Sequence, residues 1–271
     1  MSHATQPARL PESLIIAPRF CGPPGSGNGG YTCGRIAAHL DGPVQVTLRR
    51  PAPLGTALTV ERAGQGSVRV LHGATLVAEG LWLPGGPAPD VPGSVSIAEA
   101  RAASSRYRFL AHPEEHPFPA CFVCGPERAP GDGLRIFPGP VAGRPFWAAP
   151  WTPDSSVTDG DGRVRPEMVW AALDCPSGIA AAEATGLASG PAAGLARDTA
   201  IVLGRMTASL AVLPMGGDEC RVIAWPGRRD GRKLDAGSAL LGPDGTVLAA
   251  ARTVWLTVPR PVPALAAEGA S

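Results

Sequence analysis

The sequence is poor in aromatics, 5% of its 271 residues, and has a single lysine, Lys233, among 24 basic residues. An excess of one charge is missing too. The formal net charge is +1 and the arginines are scattered, which excludes the clustered cations that neutralise nucleic-acid phosphates. No stretch approaches the ~20 apolar residues that a membrane helix requires. The opening residues, Met-Ser-His-Ala-Thr-Gln-Pro-Ala-Arg-Leu, lack an apolar export segment, so the chain is expected to be soluble and cytoplasmic. In that compartment the six cysteines read as reduced thiols, metal ligands or small core residues.

What is present is a repeat. Gly-Asn-Gly-Gly-Tyr-Thr-Cys-Gly-Arg-Ile-Ala-Ala-His-Leu (27–40) and Val-Arg-Pro-Glu-Met-Val-Trp-Ala-Ala-Leu-Asp-Cys-Pro (164–176) each read as a helix that runs into extended segments. A hydrophobic fraction of 44% against 17% charged residues supplies ample core. In the first half a helix is expected over 31–40, followed by strands at 44–49, 56–62, 67–72 and 74–83, punctuated by Gly55, Gly64, Gly66 and Gly73. In the second, Pro166 suits a first helical turn, and Pro176 marks the end of the helix or a kink, with 179–185 resuming it. Strands are expected at 200–213, 219–226, 234–241 and 246–258. The last strands match best: Gly-Ala-Thr-Leu-Val-Ala-Glu-Gly-Leu-Trp-Leu (73–83) parallels Gly-Thr-Val-Leu-Ala-Ala-Ala-Arg-Thr-Val-Trp-Leu (245–256), which makes Trp82 and Trp255 core residues. Doubling of a unit this size implies pseudo-symmetry, with a ligand site between the halves. The divisions are a disordered tail at 1–12, a first unit at 13–86, a connector at 87–130, a second unit at 131–258 and a second tail at 259–271.

A long helix wrapped by an antiparallel sheet, twice in one chain, resembles the double hotdog fold of acyl-CoA thioesterases and their relatives, over about 20–85 and 145–258. The expected class is therefore α+β, two tandem hotdog units. The resemblance implies hydrolysis of an acyl-CoA or acyl-carrier thioester, with a non-catalytic binder of acyl thioesters or lipid-like ligands as the alternative. Coenzyme A would enter as part of the substrate, and no separate cofactor is implied. Two fused units complete the pair that single hotdog domains form, leaving a larger homo-oligomer open.

The same resemblance places the thioester carbonyl at the first helix's N-terminus, where unpaired N–H groups and the helix dipole stabilise negative charge. Gly29, Gly30 and Tyr31 stand there, and Asn28 is placed to cap the helix or donate a hydrogen bond. A turn that needs glycine only for its geometry is the plainer reading. The family's carboxylate falls on Asp174, an acid in an otherwise apolar stretch, with Glu167 about two turns earlier. Asp174 is equally a structural acceptor, and Glu167 a helix-start charge. The corresponding position in the first helix is Ala38, so one active site is expected. Thr207, Ser209 or Ser177 would hold water, and Trp170 with Trp147 and Trp151 would line an acyl tunnel. Arg49 and Arg50, or Arg228, Arg229 and Arg232, would meet coenzyme A phosphates. The close Asp and His pair of the hydratase branch is absent from both helix starts, which disfavours hydration.

The sharpest local motif lies in the connector: His112, His116, Cys121 and Cys124 in His-Pro-Glu-Glu-His-Pro-Phe-Pro-Ala-Cys-Phe-Val-Cys-Gly-Pro. The spacing fits tetrahedral zinc, with Cys21 or Cys33 in place of a histidine. A second Cys-x2-Cys is missing, however, and a redox pair would open a helix, so the preferred reading is a proline-clamped loop with packed thiols and no metal. The segment 131–138 is expected to lead into a strand continued at 146–151.

Overall fold

The computed structural model describes residues 13–86, 90–186 and 199–259. The first unit holds strand β1 (Ser13–Ile15), helix α1 (Gly29–Ala37) and strands β2 (Val44–Leu48), β3 (Ala57–Arg62), β4 (Ser67–His72) and β5 (Thr75–Trp82). Two short helices follow, α2 (Ile97–Ser104) and α3 (Arg108–Ala111). The second unit consists of β6 (Gly139–Pro140), β7 (Trp147–Trp151), the long helix α4 (Pro166–Ala184), β8 (Thr199–Leu210), β9 (Cys220–Asp230), β10 (Lys233–Leu241) and β11 (Val247–Pro259).

These strands form one antiparallel sheet of 11 in the order β1-β3-β4-β5-β2-β8-β11-β10-β9-β7-β6. The two units join where β2 meets β8, with Val44 opposite Ala208 and Val46 opposite Met206. Outward from that seam the order is β2-β5-β4-β3-β1 on one side and β8-β11-β10-β9-β7 on the other. The halves are thus pseudo-symmetric, as the repeat implies, and β5 and β11, whose sequences match best, occupy equivalent places.

Both central helices bury themselves against the sheet and each other. On α4, Met168, Val169 and Leu173 are fully buried, each apolar side chain contributing roughly 1.5–3 kcal/mol. The two helices run antiparallel, and α1 makes room with small residues. A Cβ on Gly34 would fall 2.6 Å from Cα of Glu167, and one on Gly30 would fall 2.6 Å from the Trp170 carbonyl oxygen. Glycine here permits close helix contact.

Several expectations need correcting. Helix α4 runs unbroken through Pro176. The ring removes the N–H that would bond the Ala172 carbonyl, while the carbonyls just beyond it take hydroxyl donors, Ser177 Oγ on Asp174 and Ser238 Oγ on Leu173, both at 2.7 Å. Helix α1 begins at Gly29, earlier than expected, because Asn28 caps it by accepting the Tyr31 N–H at 2.9 Å. Residues 131–138 form no strand, while the short β1 at the far edge was missed. Trp82 is 43% exposed and shields Gly66, whereas Trp255 is 6% exposed and packs on Gly178 of α4. The tails at 1–12 and 260–271 lie outside the described residues. Among the described residues, no helix is long and apolar enough to cross a membrane.

Candidate active site between the two units

A cavity of about 730 Å³ opens where the N-terminus of α1, the middle of α4, the connector loop and strands β8 and β11 converge. Asp174 reaches it from α4 and is 1% exposed. Its Oδ2 accepts the Gly30 N–H at 2.8 Å and the Asn28 side-chain amide at 3.0 Å. Its Oδ1 has no hydrogen-bond partner among the described residues. Burial pushes the Asp174 pKa up to about 7; the nearby Cys121 adds to the rise, while the Gly30 and Asn28 hydrogen bonds oppose it.

Asn28 connects three elements. Its Oδ1 caps α1, and its Nδ2 donates to Asp174 and also lies 3.7 Å from Cys175 Sγ and 3.9 Å from Cys121 Sγ. Of the amides in the first turn of α1, Gly30 is taken by Asp174, Tyr31 by the Asn28 cap and Thr32 by the Asn28 carbonyl. Gly29 lines the cavity, and its amide makes no hydrogen bond among the described residues. The Gly30 N–H, expected to face a substrate, is instead held by the Asp174 carboxylate, and Gly29 is the first-turn residue whose amide is left unbonded among the described residues.

The remaining expected residues divide. Tyr31 contributes its backbone to the cap, but its ring stacks on Phe20 at 3.9 Å and its hydroxyl accepts from Arg35, outside the cavity lining. Glu167 lies 3.7 Å from Arg165 at the start of α4, and Trp170 is buried in the core, so neither lines the cavity. Thr207 sits opposite Gln45 and Arg252 in the sheet, and Ser209 opposite Ala250, so neither reaches Asp174. The Ser177 hydroxyl receives the Thr253 hydroxyl at 2.9 Å and the Trp255 indole at 3.0 Å, and donates to a carbonyl. Apolar Leu203 stands against Gly29, and Trp255 lines the same cavity, as does Thr32, whose buried Oγ1 has no partner among the described residues. Trp147 and Trp151 line none of it; the Trp147 indole donates to Glu183. Arg49 and Arg50 are exposed and line the cavity, Arg49 paired with Glu79 at 2.7 Å, whereas Arg228, Arg229 and Arg232 lie on the distant β9–β10 hairpin.

The connector motif also reaches the cavity. Cys121 and Cys124 meet Cys175, the neighbour of Asp174, so that the three sulfurs lie within 4.8 Å of one another. His116 joins them at 3.5 Å from Cys124 Sγ. His112 is exposed beside Glu114, Cys33 is packed in the core, and Cys21 accepts from Arg128, so none of these belongs to the cluster. Hydrogen bonding among the three thiols lowers the pKa of Cys121 and raises those of Cys124 and Cys175. Cys175 was not expected here; its proximity to Asp174 in sequence was the only available signal.

No family model and no curated protein matches this chain. Solved structures do. The tesB protein of Mycobacterium avium subsp. paratuberculosis is 12% identical, with 91% of this chain and 92% of that one covered and a TM-score of 0.57. A putative thioesterase II from Thermobifida fusca is 14% identical, covering 90% and 92%, with a TM-score of 0.53. At these identities the likeness is one of fold. The chain has the double hotdog fold, α+β, in two tandem units.

Proposed function

We propose that the chain hydrolyses an acyl thioester, of coenzyme A or of a carrier protein, in the cavity between its units. The observation that carries this reading is the state of Asp174: one carboxylate oxygen is fixed by Gly30 and Asn28, and the other is unpartnered in a residue that lines the cavity. An acid so held is a general base with its geometry set in advance. Water attacks the thioester carbon while Asp174 takes its proton; the carbonyl oxygen gains charge beside the Gly29 amide at the positive end of α1. The tetrahedral intermediate then expels the thiolate, which recovers the proton from Asp174, giving a carboxylic acid and a thiol. Apolar lining at Ile201, Leu203 and Trp255 suits an acyl chain, and Arg49 and Arg50 suit phosphates outside.

One observation favours the non-catalytic alternative. None of Thr207, Ser209 and Ser177, the hydroxyls expected to hold water, lines the cavity, whereas apolar Leu203 and Trp255 do. Released thiol, followed across acyl-CoAs of graded chain length, separates the readings. Turnover that peaks at one length supports hydrolysis; no turnover at any length, with acyl-CoA still raising the melting temperature, leaves binding alone.

A further inference from the structure

We propose that Cys121, Cys124 and Cys175 together bind a zinc ion as three thiolates, with the fourth coordination position turned to the cavity. The side chains come from two places, Cys121 and Cys124 from the connector loop and Cys175 from α4, and all are at least nine-tenths buried. Cys121 Sγ and Cys175 Sγ are 3.7 Å apart. Two thiolates about 2.3 Å from a tetrahedral zinc stand about 3.8 Å apart, so this edge already has coordination dimensions. Cys124 Sγ closes the triangle within 4.8 Å of both.

The loop between the two connector cysteines has the form such a site needs. The Gly125 N–H donates to the Cys121 carbonyl at 2.9 Å, closing the turn between them. A Cβ at Gly125 would collide with the Pro119 carbonyl oxygen and lie 2.5 Å from the Cys121 nitrogen, so the turn admits only glycine. Every sulfur has a donor beside it. Asn28 Nδ2 faces Cys121 and Cys175, and His116 Nε2 faces Cys124. His116 Nδ1 accepts the Phe118 N–H at 3.0 Å, which assigns the ring proton to Nε2. The imidazole is therefore a hydrogen-bond donor to the Cys124 sulfur, held edge-on to Phe109 at 4.7 Å, rather than a fourth metal ligand. Donors of this kind offset the charge of metal-bound thiolates and fix their orientation. Packed core thiols have no need of them.

Thiolate-rich tetrahedral sites select zinc among the common divalent ions. Three protein ligands leave one position for water or a ligand. All three cysteines line the cavity that Asp174 lines, and Asn28 Nδ2 reaches Asp174, Cys121 and Cys175. The inference does not depend on the thioester reading, because metal content is measured without turnover.

The test is metal analysis of the full chain isolated anaerobically without chelator. One zinc per chain is expected, and Cys121→Ser, Cys124→Ser and Cys175→Ser should each lower zinc affinity by about tenfold or more. If a variant fails to fold, the native chain carries the test. Replacing zinc with cobalt(II) should give a strong sulfur-to-cobalt charge-transfer band, and a mercurial reagent should release the metal as these thiols are modified. A folded, reduced chain that takes up neither zinc nor cobalt overturns the proposal, as does metal that survives loss of the three cysteines, or a Cys121–Cys175 disulfide in the anaerobically isolated chain.

Discussion

The Gly30 amide of the first unit and the Asp174 carboxylate of the second meet at 2.8 Å where the two central helices cross. The contact joins fold to site. A helix without a side chain at that position lets α4 approach, and the same approach carries a buried acid to the N-terminus of α1.

Gly30→Ala should therefore damage both. A Cβ there would strike Cβ of Asp174 and lie 2.6 Å from the Trp170 carbonyl. Overpacking of this kind costs about 1–3 kcal/mol. Denaturant unfolding should show that loss; a change below about 0.5 kcal/mol would mean the helices separate easily and the crossing is not tightly set.

Asn28 can be divided by two substitutions. Asn28→Ala removes the cap of α1 and a donor to Asp174, and should cost about 1–2 kcal/mol. Asn28→Asp keeps the cap acceptor but sets a second carboxylate against Asp174, so at neutral pH it should melt below Asn28→Ala. The reverse order would show that the cap alone matters.

Glu183 gives a pH signature. Burial raises its pKa, outweighing the Trp147 hydrogen bond and the Arg108 charge, which lower it. The folded chain thus binds this proton more tightly than the unfolded one, and stability falls as pH rises from the ordinary carboxylate range through the raised folded value. Glu183→Gln keeps an acceptor for the indole without the charge. It should melt above wild type at about pH 8 and lose that advantage toward about pH 4. A pH-independent difference would contradict the assignment.

The strands were legible because their alternation is strong: Val44 with Val46 and Val68 with Val70 place every second residue in the core. Asp174 was legible because an acid in an apolar helix needs a reason. The partners of that acid were less so. Thr207 was expected near the acid, and only the sheet register, with its irregularity between Val254 and Trp255, decides that Leu203 lines the cavity and Thr207 does not. The Gly30 amide was expected to face a substrate, because nothing in the sequence says that the acid itself occupies it. Cys175 lies over 50 residues from Cys121 and Cys124, and only the docking of the connector beneath α4 brings the three together.

The most direct measurement compares Asp174→Asn with wild type on the best acyl-CoA substrate, following thiol release and melting temperature together. Asparagine fits the same space and keeps an oxygen for the Gly30 amide, so the variant should melt at or above wild type, freed of a buried charge. Its kcat should fall by about 10²-fold or more, as expected for loss of a general base. A variant that stays folded and keeps wild-type kcat would contradict the assignment of Asp174 as the base and, with it, the proposed site of hydrolysis.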